Sequence, residues 1–333
     1  MSATDVASDA SALPGKTPAP LWRRIIPYLG TLAIFALIFW RIPLGKVGEA
    51  LRDVPVMRFV GIFLPYSLFF FLIDSYCLTW VVRRFNAPMS WREILPIRAS
   101  MYLLAMINTN LGQGGVAYYL YRKAKIGFLG ALSSILFIAL LEVYQLFLFS
   151  TLGVLFYSPT EATQARIVGV LRIVYVGAWL LLVAIIAFFV LARRTESIRK
   201  WVETGRAGPI LTTFLAARPR DYLIVLAIKA PSFLGSVVAQ FFALSLYGIT
   251  IPFVKLMLFL PLVFLAAALP IAVAHLGTSQ AAWLLFFSVN ATAPRILAYS
   301  LAAHFTFMFC NGLIGLCFLP RATRELTAVE EAA

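Results

Sequence analysis

The chain has 333 residues, 62% of them hydrophobic and 13% charged, with a mean hydropathy of +0.90. Soluble domains carry about 25% charged residues, so this composition excludes an ordinary soluble domain. The formal net charge of +14 sits between apolar runs, where cytoplasmic loops meet anionic headgroups. It implies membrane lipids as partners and no nucleic acid.

Residues 1–20 are rich in Ala, Ser, Pro and Asp and read as a disordered tail, without the basic start and cleavable apolar core of a signal peptide. A single transmembrane domain is expected over 21–320, then a short polar tail at 321–333, with a catalytic domain at neither end. Apolar elements fall at about 25–41, 59–82, 96–121, 126–157, 170–192, 221–247, 253–287 and 295–319. About 20 residues cross a bilayer as a helix. Backbone polar groups in lipid must bond internally, so the expected fold is all-α and polytopic. Cys77, Cys310 and Cys317 lie in apolar runs and read as small buried hydrophobes, not as a disulfide or metal framework. No metal and no cofactor is expected.

The positive-inside rule sets the topology. Trp22-Arg23-Arg24 places the N-terminus in the cytoplasm, and the second element returns to Arg83, Arg84, Arg92 and Arg98. If 96–121 crossed fully, Arg122, Lys123, Lys125 and the long basic loop from Arg193 to Arg220 would all lie outside. A re-entrant hairpin turning near Asn108–Gly115 keeps both basic flanks inside. The stretch 253–287, broken by Pro261, Pro270 and Gly277, reads as a second hairpin entering from the other side, and the last element returns to Arg321 and Arg324. The result is about six spanning helices plus two oppositely facing re-entrant hairpins, in two halves (about 25–157 and 170–319) that form an inverted repeat. The site of such a protein is expected in a bacterial inner membrane, with both termini cytoplasmic. One loop, at about 41–58, puts Arg41, Lys46, Arg52 and Arg58 outside; its "LGKVGEALRDV" reads as an amphipathic helix at the interface.

Both hairpins carry one short device. Leu111-Gly112 in "NTNLGQGGVAYYLY" aligns with Leu276-Gly277 in "AVAHLGTSQAAWLL", which also pairs Val116 with Ala281, Ala117 with Ala282, Tyr118 with Trp283 and Leu120 with Leu285. A polar break in an apolar stretch is tolerated where it is buried in protein or lines a wet cavity. Two of them in matching positions point to a transport pathway.

Around these breaks the chain resembles the transmembrane flippase-like family that forms the membrane domain of lysylphosphatidylglycerol synthases and also occurs as stand-alone proteins. The resemblance rests on Asn108, Asn110, Leu111-Gly112-Gln113, Tyr121-Arg122-Lys123 and Gly127, and on Pro270-Ile271-Ala272, Leu276-Gly277 and Gln280-Ala281. It implies movement of lipids between leaflets, and it leaves room for a lipid-biosynthetic enzyme as partner. The chain departs from the pattern at Gln113 and Gln280, where glutamates are usual, at Val116, at Ala272, and at Ile138 and Ala139, where a charged pair is expected. Read together, these departures imply a weakly charged or zwitterionic cargo. Hopanoid-like lipids, glycolipids and zwitterionic phospholipids all fit.

Gln113 and Gln280 each read as a cargo contact, since an amide can replace headgroup hydration without burying a charge, or as a cap for a broken helix end. Asn108, Asn110 and His275 join them as candidate substrate contacts. Gly112, Gly114, Gly115, Gly277 and Pro270 are expected to make the breaks, with packing as the other role of Gly115. Asp74, Glu142 and Lys229 lie deepest in the spans, where ionisable groups are rare. They read either as a permanent pair or as a switch in which Lys229 leaves one carboxylate. Arg122 and Lys123 read as headgroup contacts or as ordinary basic anchors. The leading function is a lipid translocase working by alternating access. A small-solute or ion transporter and a non-transporting assembly partner are the alternatives. A membrane enzyme is disfavoured because Asp plus Glu total only 14 and form no cluster. No P-loop motif is present in the sequence, so ATP hydrolysis of that kind is not expected.

Overall fold

The computed structural model describes residues 32, 36–40, 44–52, 56–107, 109–124, 126–158, 162–205, 207–268 and 276–331. Most of the first expected span, 25–41, therefore lies outside the described residues. Among those described, regular structure is entirely helical. The helices are α1 (Leu44–Arg52), α2 (Val56–Phe85), α3 (Trp91–Ile107), α4 (Thr109–Ala124), α5 (Phe128–Phe156), α6 (Ala162–Arg194), α7 (Glu196–Thr204), α8 (Thr212–Ala216), α9 (Pro219–Leu246), α10 (Phe253–Ala267), α11 (Thr278–Phe287) and α12 (Ala293–Glu331). Five of them, α2, α5, α6, α9 and α12, are long and apolar enough to cross a membrane. The protein is an all-α, multi-pass membrane protein.

The stretches 96–121 and 253–287 each fold back on themselves. Gly112 of α4 lies against Ala105 of α3, where an added Cβ would come within 2.8 Å of the Ala105 Cβ, and Gly115 lies against Met101 and Leu104. The partner number falls as the residue number rises, so the two arms run antiparallel. In the second hairpin Phe259 of α10 stacks on Phe286 of α11 with ring centroids 5.0 Å apart. Gly112, Gly114 and Gly115 sit within α4, which begins at Thr109. Gly112 and Gly115 let the arms approach. Gly277 does make its break: its φ of +93° is strained for any residue with a Cβ.

Contacts between helix ends fix which ends lie together. Arg84, near the end of α2, pairs with Asp221 in the first turn of α9 at 3.4 Å. Arg193, at the end of α6, donates to the Ala217 carbonyl at 3.0 Å. Arg321 of α12 donates to the Arg92 carbonyl in α3 at 3.5 Å. Asn86 donates to Gly130 of α5 at 3.4 Å. The open end of hairpin one, the start of α5 and α9 and the ends of α2, α6 and α12 thus share one face, which carries Arg83, Arg84, Arg92, Arg122, Lys123, Arg193, Arg194, Arg321 and Arg324. At the other face Phe59 of α2 meets Tyr247 past the end of α9 at 5.7 Å. There Lys255 of α10 also donates to Asn290 beyond α11 at 2.8 Å. The two hairpins therefore open at opposite ends, as the distribution of basic loops requires.

The halves pack reciprocally. The last helix of each half lies on the first arm of the other half's hairpin, α5 on α10 and α12 on α3, while α2 and α9 pack on each other. A glycine sits at each cross-half contact. A Cβ on Gly153 would lie 2.5 Å from Leu258 Cα, and one on Gly315 would lie 2.9 Å from the Ala99 carbonyl oxygen and from Leu103 Cγ. Prolines match as well, Pro65 in α2 with Pro231 in α9, and Pro96 in α3 with Pro261 in α10.

Helix α12 runs on to Glu331. The segment read as interfacial forms the helix α1, with its Val47 buried in the apolar cluster that includes Phe59 and Leu258. Overpacking a tight helix contact costs about 1–3 kcal/mol. Gly153→Leu and Gly315→Leu are each expected to lower the melting temperature of the purified protein in detergent. Gly114→Leu, with open space around it, is expected to leave it near wild type.

Candidate functional site: a charged cavity between two hairpin tips

The two hairpins meet at one cavity of about 360 Å³. Gly112 and Gln113 of α4 reach it from one side, and Ala267, Ser279 and Trp283 of the second hairpin from the other. The long helices complete it with aromatic rings (Tyr66, Phe70, Phe307) and with polar groups (Gln240, His304, Asn311). Apolar clusters close the protein on either side. One, around Val81, Ala117 and Ile135, lies toward the basic face; the other, around Phe59, Leu258 and Tyr299, lies toward the opposite face.

Four charges stand at one wall. Asp74 of α2 accepts from Arg98 Nε of α3 and from Lys229 Nζ of α9, the latter at 2.6 Å. Lys229 also reaches Glu142 Oε1 of α5 at 2.5 Å. Two cations and two carboxylates balance, so no uncompensated charge is buried. Their exposure differs: Asp74 and Lys229 are each 3% exposed, whereas Glu142 is 38% exposed and lines the cavity together with Arg98. In this structure Lys229 binds both carboxylates at once. Gln145 fixes the helix beneath, donating to the Lys229 carbonyl at 2.6 Å.

Sequence reading counted Arg98 among the cytoplasmic flanking charges. It lies two turns inside α3, far enough to reach Asp74. It also found charge missing at Ile138 and Ala139. Glu142 supplies it one turn later on the same helix face, and all three residues line a small void of about 20 Å³ beside the cavity. Gln113 lines both cavities together with Arg98 and Glu142.

The matched spacing of the halves adds a contrast. Asp74 stands nine residues after Pro65, and Gln240 nine after Pro231; Glu142 stands eleven before Gly153, and His304 eleven before Gly315. All but Asp74 line the main cavity. One half thus contributes acids where the other contributes an amide and an imidazole.

The two glutamines separate. Gln113 lines the cavity. Gln280 is fully buried and does not line it; its carbonyl oxygen accepts from the Gly277 amide at 2.6 Å and from Ser279 at 3.0 Å, closing the start of α11. That is the capping role, because the first amides of a helix lack partners within it. Lys123 is engaged by Glu325 of α12, to which Tyr119 also donates at 2.6 Å, so it ties hairpin one to the last helix. Arg122 sits at the same open end of the hairpin. Asn110 lies in the first turn of α4, and Asn108, Pro270 and His275 lie outside the described residues. Sequence reasoning missed Asn311. It is 8% exposed on the cavity wall, and its Oδ1 lacks a partner. No His/Cys/Asp/Glu group among the described residues is arranged to hold a metal ion.

The fold and site define a class: a polytopic helical membrane protein with a charged cavity held between two opposed hairpins. The chain belongs to the family of the lysylphosphatidylglycerol synthase transmembrane region, which matches residues 25–315. The match is to the membrane region of that synthase family. No curated protein matches the chain.

Removing one member of a buried ion pair costs about 3–5 kcal/mol, because its partner stays buried without a counter-charge. Asp74→Asn deprives two cations at once and is expected to destabilise the protein strongly. Glu142→Gln, at a site more than a third exposed and bound to one cation, should destabilise far less. Thermal unfolding of the two variants in the same detergent checks the order, and equal losses would contradict it. Gln280→Leu is expected to cost about 0.5–2 kcal/mol, as loss of a cap does.

Proposed function

We propose that this protein is a lipid translocase, with no catalytic chemistry of its own, that passes a lipid headgroup through the cavity between the hairpin tips. The observation that carries this reading is the presence of Arg98 and Glu142, charges of opposite sign, on one cavity wall within an apolar helical bundle. A charge at bilayer depth costs at least about 2.5–3.5 kcal/mol on insertion scales, and ordinary packing does not need four of them. Arg98 offers a flat fork of donors that suits a lipid phosphate. Glu142 suits an amine or hydroxyl, and the unpartnered Oδ1 of Asn311 accepts a further donor. A wall bearing both signs favours a zwitterionic or weakly charged headgroup. Membership of a lysylphosphatidylglycerol synthase membrane family supports lipid as the cargo class.

The basic face is read as cytoplasmic, in a bacterial inner membrane, by the positive-inside rule. The reciprocal packing of α5 on α10 and of α12 on α3 supports an inverted repeat whose halves rock past each other, exposing the cavity to each leaflet in turn. Lys229 belongs to one half and its two carboxylates to the other, so the bond to Glu142 is placed to break and re-form as they move. The acyl chains stay in the bilayer during transfer.

Leaflet exchange of fluorescent lipids in liposomes tests this. Wild type is expected to exchange a zwitterionic lipid faster than an anionic one. Glu142→Gln and Gln113→Leu should slow exchange by about 10-fold or more, in line with roughly 1.5–3 kcal/mol for a hydrogen bond to a charged group. Gln280→Leu, once folded, should not. No exchange of any lipid by folded protein, with or without a proton gradient, would overturn the reading in favour of solute transport or an assembly role.

A further inference from the structure

Lys229 is held by two carboxylates of unequal access. Asp74 is sealed in the bundle and accepts from both Lys229, at 2.6 Å, and Arg98. Glu142 meets Lys229 at 2.5 Å, yet its side chain is 38% exposed and lines the cavity. Lys229 therefore keeps a direct counter-charge in Asp74 when Glu142 is neutral. Glu142 is the carboxylate of the pair that can change charge without stranding a cation.

The groups facing Glu142 come from several elements. Helix α2 supplies Asp74 and Cys77, α3 supplies Arg98 and Tyr102, and α9 supplies Lys229. Helix α4 supplies the neutral Gln113, while Tyr66 of α2 and His304 of α12 line the same cavity. On α5 itself Tyr144 packs on Trp179 of α6. Tyr175 of α6 bonds Ser150, two turns further along α5, and Lys255 of α10 bonds Asn290 toward the opposite face.

The four charges on the wall sum to zero. Arg98 has five N–H donors and gives its Nε–H to Asp74. A phosphate anion seated against Arg98 makes the wall net negative in a low-dielectric bundle, where an uncompensated charge is costly. One proton on Glu142 restores neutrality. It also removes a like charge beside the anion and gives the carboxyl an O–H that can donate to a phosphate oxygen. A ligand that carries its own positive charge needs no such proton.

We propose that Glu142 takes up one proton from solvent for each singly negative phosphodiester that binds against Arg98. This rests on the translocase reading and deepens it. An anionic headgroup crosses together with one proton. A zwitterionic headgroup presents its cation to the ionised Glu142 and crosses without one. A proton gradient then drives the first kind of cargo and not the second. Linkage is reciprocal, so the anion binds more tightly as pH falls.

The test uses the full chain in a non-ionic detergent with two probes of fixed single charge, dimethyl phosphate and dihexanoyl phosphatidylglycerol. Dihexanoyl phosphatidylcholine is the zwitterionic comparison. Calorimetric titration in buffers of different ionisation heat counts the protons taken up on binding. Wild type is expected to take up close to one proton per phosphatidylglycerol, and to bind it up to about tenfold more tightly for each pH unit of acidification. Phosphatidylcholine should bring no uptake. Glu142→Gln should take up none and bind the anion independently of pH. His304→Gln, at the matched position of the other half, should keep the wild-type uptake. No uptake by wild type, or uptake that is lost in His304→Gln, overturns the proposal, and neither result depends on the folding of Glu142→Gln. Uptake that persists in folded Glu142→Gln overturns it as well. Uptake with both probes assigns the linkage to phosphate itself, and uptake with phosphatidylglycerol alone assigns it to a lipid-borne phosphate; both support the proposal. Uptake with dimethyl phosphate alone keeps the proton site and overturns lipid as the cargo. Leaflet exchange is read separately in liposomes. Proton uptake without exchange of any lipid leaves the proton site standing and removes the translocase reading. Exchange of phosphatidylglycerol that ignores pH, with no uptake, does the reverse.

Discussion

Two cations and two carboxylates share one wall inside a largely apolar bundle, and much of the architecture follows from keeping them balanced. Asp74 holds Arg98 and Lys229 together, and Lys229 spans to Glu142. The four residues come from α2, α3, α5 and α9, so the network binds hairpin one to the long helices of both halves. In a low-dielectric interior such a network is worth little as net stability, because desolvation offsets much of the attraction. Its value lies in position. The two outer members, Arg98 and Glu142, reach the cavity, while the inner pair holds them in place.

The second constraint is the backbone. A chain that turns within a bilayer must bury the turn in protein or open it to a wet space. Both hairpins do so by pointing their tips at the same cavity. Each tip has its own local solution. The second uses Gly277 in a left-handed conformation and the Gln280 side chain as a cap. The first uses glycines within α4 to bring its arms together. One aligned motif thus serves two different backbone tasks, with the more strained geometry at the second.

The same contacts that shape the site also set what can move. Gly153 and Gly315 lock the last helix of each half onto the other half's hairpin. Lys123, Tyr119 and Arg321 converge on Glu325 at the open end of hairpin one, and Lys255 with Asn290 clasps the open end of hairpin two. The hairpins are thus held at their bases, on either side of the central charges.

How much of this was legible along the chain depends on the dimension of the constraint. Composition, the length of the apolar runs and the siting of basic loops determined a multi-pass helical protein with two interrupted stretches. A bilayer acts on a chain in one dimension, through depth and side, and depth and side are written in order along the sequence. Asp74, Glu142 and Lys229 were visible for the same reason, as charges deep in apolar runs. Which charges meet was not visible. Arg98 reads as a flank until α3 is rotated so that it faces Asp74, 24 residues away. Gln113 and Gln280 read alike until one is seen on a cavity wall and the other on its own helix start. Helix rotation and lateral neighbours are decided by packing between helices, and that information exists only in the folded bundle.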